Sequence, residues 1–172
     1  MAKQLPILIN HTALVAINKP HGLLVHRTKI AKDATEFALQ LLRDQLHQYV
    51  YPVHRLDRKT SGVLLFAKSE ADSRGLQKLF AERKVKKFYK ALVRGFTKDN
   101  GHIDYELSNG KKLQTAVTDY RTLLRFELPV PHQQFSTSRY SLLKLQPITG
   151  RTHQIRRHLA HIRHPIIGDR PY

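Results

Sequence analysis

The chain has 172 residues, with Lys+Arg 30 against Asp+Glu 13 and a formal net charge of +17. Apolar residues make up 41%, enough for a core, which excludes disorder from lack of hydrophobics. Cysteine is absent, which excludes disulfides, a Cys-ligated metal site and a thiol nucleophile.

The first residues, 1–6, carry no signal-peptide core, and no apolar run nears the length of a membrane span. A cytoplasmic protein is expected. Residues 7–9 and 13–17 read as short strands around a turn at 10–12. Asn18-Lys19-Pro20-His21-Gly22 is a loop, and Leu23–Val25 reads as a brief strand. Asp33-Ala34-Thr35-Glu36 matches a capping box, and Ala34, Ala38, Leu41, Leu42, Leu46 and Tyr49 place a helix over 34–49. Residues 62–68 read as a buried strand. Ser69-Glu70-Ala71-Asp72 is a second capping box, opening a helix whose apolar face is Leu76, Leu79 and Phe80. Strands follow at 86–94, 117–126 and 139–145, with a loop at 129–131. Ile155, Leu159 and Ile162 mark a helix over 151–163 that Pro165 stops. About seven strands and three helices joined mostly by short connections predict an α+β fold with a mixed, mainly antiparallel sheet and flanking helices. No linker divides the chain, so one domain over 1–172 is expected.

Three segments carry chemistry. In His54-Arg55-Leu56-Asp57-Arg58-Lys59-Thr60-Ser61-Gly62, one carboxylate sits among three cations just before a buried strand. Neighbouring cations favour its ionised form. An ionised Asp in a basic cleft suits nucleophilic or general-base work on a polyanion. The same spacing also suits an Asp that caps a turn and pairs with Arg. In residues 149–158, a helical wheel zeroed on Ile155 puts Arg156 at about 100°, flanking the buried face, and Arg157 at about 200°, toward solvent. Arg156 can then reach a cleft, and Arg157 can reach phosphates; two surface arginines are the plainer alternative. In Arg83–Ala91, cations interleave with Phe88 and Tyr89, the pattern that single-stranded or flipped bases require. Alternation puts Phe88 and Lys90 on one side of that strand and Lys87, Tyr89 and Ala91 on the other. His158, His161 and His164 recur every three residues, but lack the i, i+4 spacing and carboxylate of a helical metal site. No metal is expected, and no glycine-rich phosphate or dinucleotide motif is present.

The charge excess points to a polyanion rather than a membrane, because the cations do not gather on one amphipathic helix. Six basic residues and no acids fall in 83–94. Another six basic residues, four histidines and one acid fall in 144–172. That placement points to a structured RNA.

Together these segments resemble the RluA-type pseudouridine synthases. Residues 54–62 resemble the catalytic motif of that family. Gly150-Arg151-Thr152-His153-Gln154-Ile155-Arg156-x-His158, with His164-Pro165-Ile166-Ile167-Gly168-Asp169, resembles its second signature. Asn18-Lys19-Pro20-x-Gly22-x-x-Val25-His26 resembles its amino-terminal one. The resemblance spans the chain from about residue 7 to its end. It implies a cofactor-free isomerase that detaches uracil from ribose, rotates it and rejoins it through carbon. It makes Asp57 the nucleophile, acting on sugar or base, and Tyr89 the residue that stacks on the flipped uracil and handles a proton. Arg156 becomes the cation paired with Asp57. His54, Arg55, Arg58, Arg151, His153 and Arg157 would bind substrate. Residues 116–121 and 157–164 are similar to members that act on tRNA at the T-stem/acceptor-stem junction, which implies uridine 65. Ribosomal RNA is the rival substrate, and a non-catalytic basic RNA-binding or chaperone module is the alternative of a different class. No obligatory protein partner is implied, and a monomer is expected. Family members continue past the Gly-Asp signature into a Leu-His-Ala segment that closes the active site, so the resemblance implies a domain lacking its C-terminal part. Residues 109–112 are also shorter than the matching family stretch.

Overall fold

A computed structural model describes residues 4–27, 33–131, 134–170 and 172. Residues 1–3 of the stretch read for a leader therefore lie outside the described residues. The chain divides into two compact units, Met1–Lys84 and Val85–Tyr172. Among the described residues there are ten strands, several of them very short, and three helices, an α+β arrangement with wholly antiparallel sheet pairing.

The first unit holds β1 (Ile7–Asn10), β2 (Leu14–Lys19), α1 (Ala38–Leu46), β3 (Tyr51–Pro52), β4 (Gly62–Ala67) and α2 (Glu70–Ala81). Its sheet runs in the order β1-β2-β4-β3. Val15, Ala16, Ile17, Leu64 and Phe66 are completely buried, so β2 and β4 form the centre of the core, and Leu42 of α1 is likewise completely buried. Register places Lys19 opposite Gly62, so the polar end of β2 lies beside the end of the catalytic-like motif. Gly62 has φ of 119°, a conformation that side chains rarely adopt, and this turns the chain from the motif into β4.

Two local readings change here. Leu23–Val25 is not a strand: Leu24 makes one isolated bridge to Phe37. That bridge holds Phe37 extended (φ −139°, ψ 141°), so α1 begins at Ala38 rather than at 34. The first amides of α1 are satisfied by backbone, Ala38 N donating to Leu24 O at 2.8 Å and Leu39 N to Val25 O at 3.0 Å. Asp33 is instead drawn into an ion pair with Arg58 (2.7 Å). Ser69 caps α2 as read, its hydroxyl accepting from Asp72 N at 3.1 Å, while the Asp72 carboxylate accepts from that same hydroxyl at 2.6 Å. The apolar face of α2 is only partly used, because Leu79 is 40% exposed and Phe80 stacks on His54 with ring centroids 5.0 Å apart.

The second unit holds β5 (Tyr89–Arg94), β6 (Asn100–Asp104), the small hairpin β7 (Leu107–Ser108) and β8 (Leu113–Gln114), the long strands β9 (Val117–Leu128) and β10 (Ser138–Pro147), and α3 (Gln154–His161). Its main sheet runs β5-β10-β9-β6. Alternate residues of β5 and β10 (Tyr89, Ala91, Val93, Leu143, Leu145) pack with Ile103 and with Leu159 of α3. The other side carries Phe88, 54% exposed, beneath the Lys144 ammonium at 4.5 Å from its ring centre. The alternation read from the sequence therefore holds, although β5 begins at Tyr89 rather than at 86. Tyr89 pairs with Leu145, the last pair of the β5–β10 ladder. Strand β6 escapes sequence reading because Asn-Gly-His-Ile-Asp looks like a turn. Gly101 within it has a different use: a Cβ there would stand 2.1 Å from the Tyr120 ring, so only glycine lets that ring cross the strand.

Candidate active-site segments

Asp57 lies in the loop between β3 and β4, in the first unit. Flanking Val53 and Leu56 are buried and anchor the loop to the core, which leaves Arg55 exposed and Asp57 half-buried. Thr60 N donates to Asp57 O at 3.0 Å and closes a tight turn. Arg58 clamps the neighbouring loop: Gly22 N donates to Arg58 O (2.9 Å), and Arg58 Nε donates to Gly22 O (3.1 Å). Its guanidinium also holds Asp33, whose carboxyl lies below the usual range because of that hydrogen bond. Arg58 is thus committed to structure as well as being available at the surface. His54 accepts from Leu65 N (3.0 Å), which fixes that ring nitrogen as an acceptor.

One residue here was quoted in a motif but not singled out as functional. Lys19 is completely buried. Its ammonium donates to Pro20 O (2.9 Å), Leu23 O (2.7 Å) and Arg58 O (3.2 Å), one acceptor for each N–H. Burial pulls its pKa down to about 8, and the Asp57 carboxylate pushes it up. A charged lysine at the end of a mostly apolar strand, followed by proline, is the available sequence signal.

In the second unit, α3 presents the other candidates. Its N-cap, His153, takes the left-handed conformation (φ 54°), and its ring bonds the Tyr172 hydroxyl at 3.1 Å. Arg151 Nε donates to Thr115 O (3.0 Å). Arg156 makes a two-pronged pair with Asp169, Nε to Oδ2 at 2.7 Å and NH2 to Oδ1 at 2.8 Å, and its guanidinium lies 5.0 Å from the Tyr172 ring centre. The Asp169 side chain is only 8% exposed, so this pair is strong and directional. Arg157 points outward and donates to Ser108 O (2.9 Å). Both arginines are half-buried, but they leave α3 toward different partners, Asp169 and Ser108. Asp169 as the orienting partner of Arg156 could not be found from spacing, since it lies thirteen residues away.

The seat of α3 is a buried polar network. The Gln154 amide accepts from Thr149 Oγ1 (2.6 Å) and Arg151 N (2.9 Å), and donates to Val117 O and Thr118 Oγ1 (both 2.9 Å). His158, completely buried, bonds Thr118 Oγ1 through Nδ1 and Tyr105 O through Nε2, both at 3.0 Å. His161 stacks on Tyr105 at 3.6 Å, and His164 bonds Arg94 O at 2.8 Å. Each of the three spaced histidines therefore has a structural partner.

Burial lowers the His158 pKa, assisted by His161 and Arg157 and opposed by the Tyr105 carbonyl and Asp104. The folded state thus prefers neutral imidazole. Its contribution to stability is present above the unfolded value of about 6.5 and is lost as pH falls through the lower folded value. Between pH 8 and pH 5 the thermal midpoint should drop more in the wild type than in His158→Gln. Each kcal/mol of difference corresponds to about 2–4 °C. Parallel curves for the two proteins would show that His158 does not titrate with folding.

Residues 13–161 match the family model described as RNA pseudouridylate synthase. The chain is 47% identical to a tRNA pseudouridine synthase C from Vibrio cholerae, covering 96% of this chain and 72% of that protein. It is 48% identical to one from Haemophilus ducreyi, covering 98% and 74%. Among solved structures, it is similar to human RNA pseudouridylate synthase domain containing 4, with 31% identity, a TM-score of 0.76, and coverage of 97% of this chain and 68% of that one. A second human protein, domain containing 1, aligns at 25% identity and a TM-score of 0.79, covering 98% and 69%. A motif with Asp57 on a braced loop, the arginines of α3 and these likenesses agree: the chain belongs to the RluA-type RNA pseudouridylate synthase family, a family of isomerases.

Proposed function

We propose that this protein converts uridine to pseudouridine in tRNA, at uridine 65 of the T-stem/acceptor-stem junction. Asp57 is the nucleophile, attacking sugar or base. The N1–C1′ glycosidic bond breaks, a C5–C1′ bond forms, the C5 proton leaves and N1 regains a proton, so the sum is an isomerisation without cofactor. Tyr89 stacks on the extruded uracil and handles a proton. Arg156, oriented by Asp169, supplies positive charge at the reaction centre. His54, Arg55, Arg58, Arg151, His153 and Arg157 bind the RNA. Flipping a base costs a few kcal/mol, which phosphate contacts offset. It acts in the cytoplasm as a monomer without an obligatory protein partner. Among the described residues no helix is long and apolar enough to cross a membrane.

The observation that supports this reading most is the segment 54–62 itself. Its lone carboxylate stands on a loop that a buried ammonium and a clamping arginine hold in one shape. The test is tritium release from tRNA carrying uridine labelled at carbon 5, followed by mapping of pseudouridine. Release with pseudouridine at position 65 is the expected result. Release from ribosomal RNA alone would move the substrate, and tRNA binding without release would favour the non-catalytic module.

A further inference from the structure

Lys87 is not accounted for by the fold. It lies two residues before Tyr89, on the same side of the chain, and is half-buried where Lys86 and Lys90 are exposed. Among the described residues its Nζ makes no hydrogen bond and no ion pair. Lys19 shows the usual arrangement for a buried ammonium in this protein, one carbonyl per N–H. Lys87 has no such cage. Its Nζ instead stands 3.6 Å from where a Cβ on Gly150 would be, over bare backbone in the turn that leads into α3. Any side chain at 150 would sit in van der Waals contact with the ammonium and cover part of it. Burial lowers the Lys87 pKa, as expected for a cation that has given up water without gaining an acceptor. A cation in that condition costs the fold stability, and an anion supplied from outside would offset the cost.

We infer that Lys87 is a substrate-positioning residue that binds a phosphodiester of the RNA next to the nucleotide stacked on Tyr89. This rests on the RNA-modifying function proposed above and adds a specific contact to it. A phosphate oxygen fits because the ammonium is a compact three-donor point charge beside uncovered backbone, and because only two residues separate it from the aromatic ring. Lys86 and Lys90 are exposed, out of phase with the half-buried Lys87 and Tyr89 in the alternation of burial over 86–90.

The test is equilibrium binding of an unmodified tRNA transcript across a salt series, with thermal midpoints measured in parallel. Lys87→Met should weaken binding about three- to tenfold near 0.1 M salt and lower the slope of log affinity against log salt by close to 1, one released counterion. Its thermal midpoint should stay level or rise, since a poorly solvated charge is removed. Lys87→Arg should keep the slope. An unchanged slope in Lys87→Met overturns the inference. So does a lowered midpoint accompanied by a proportionate loss of binding-competent protein, which would make Lys87 a structural residue. Because the readout is binding, the two readings fail separately: wild type that isomerises uridine while Lys87→Met keeps its slope removes only the Lys87 contact. Wild type that binds with the Lys87-dependent slope but releases no tritium removes only the catalytic reading. Wild type that does not bind tRNA removes both.

Discussion

Asp57→Asn is expected to abolish tritium release from carbon-5-labelled tRNA, with turnover reduced on the order of 10⁴-fold or more, while tRNA affinity stays within about twofold. Asparagine keeps the size of the side chain but removes the nucleophilic oxygen. The loop should hold, because the bonds that shape it run through backbone: Thr60 N to Asp57 O, and Gly22 N and Lys19 Nζ to Arg58 O. Affinity should hold because counterion release is set by the cations, and Arg55, Arg58 and Lys59 remain. Asp57→Ala should give the same loss, which guards against slow conversion of Asn back to Asp. Residual release above one-thousandth of wild type in both variants would exclude a covalent role for Asp57. A loss of release matched by an equal loss of affinity would make it a binding residue instead.

The parts of these candidate segments that the sequence revealed are those in which local chemistry and fold coincide. Ser69 caps α2 because its oxygen meets Asp72 N within one turn. Successive places on the helix send Arg156 and Arg157 to different partners. Asp57 stands out because a carboxylate among cations is unusual composition. The hidden parts depend on contacts between distant segments. Helix α1 starts late because Phe37 is held extended by Leu24, thirteen residues away, and no propensity at 33–36 reports that bridge. Asp33, read as a cap, is taken by Arg58, twenty-five residues on. Strand β6 is made of turn-like residues and exists because β9 offers it a long edge. Lys19 was visible as a motif residue, yet its burial follows from the loop 20–23 and the backbone of Arg58 closing over it.

The positive charge also divides into two kinds. Some cations carry a carboxylate partner within the protein: Arg156 with Asp169, Arg125 with Asp99, Arg139 with Glu127, and Lys84 with Glu82. Pairs of the last three kinds, at least half-exposed on one side, contribute little to stability and are screened by salt. Lys19 is consumed by carbonyls. Arg55, Lys59, Lys86 and Lys90 are exposed and fit long-range attraction of an RNA, which raises the association rate and falls with ionic strength. Net charge therefore overstates the number of phosphates held, and the salt slope of binding should correspond to fewer contacts than the formal +17 suggests.

Lys19→Met should lower both stability and turnover. Burial disfavours the lysine charge, holding its pKa at about 8, and methionine removes that cost. Against this, methionine leaves the Pro20, Leu23 and Arg58 carbonyls without the ammonium donor, and a buried acceptor left unsatisfied costs about 1–3 kcal/mol. With the ammonium gone from three acceptors the loss outweighs the gain, so the thermal midpoint should fall by several degrees, at about 2–4 °C per kcal/mol. The freed carbonyls belong to the two segments that frame Asp57, so the carboxylate loses its fixed position. A displacement of about 1 Å can cost roughly 10²-fold in rate, and that is the expected fall in single-turnover isomerisation. Affinity for tRNA should change much less, since Lys19 is buried and presents nothing to the RNA. A variant that melts earlier yet isomerises at the wild-type rate would show that the loop keeps its shape without the ammonium. A variant unchanged in both would show that water replaces it. Loss of rate with binding intact is the result that ties the buried lysine to the geometry of Asp57.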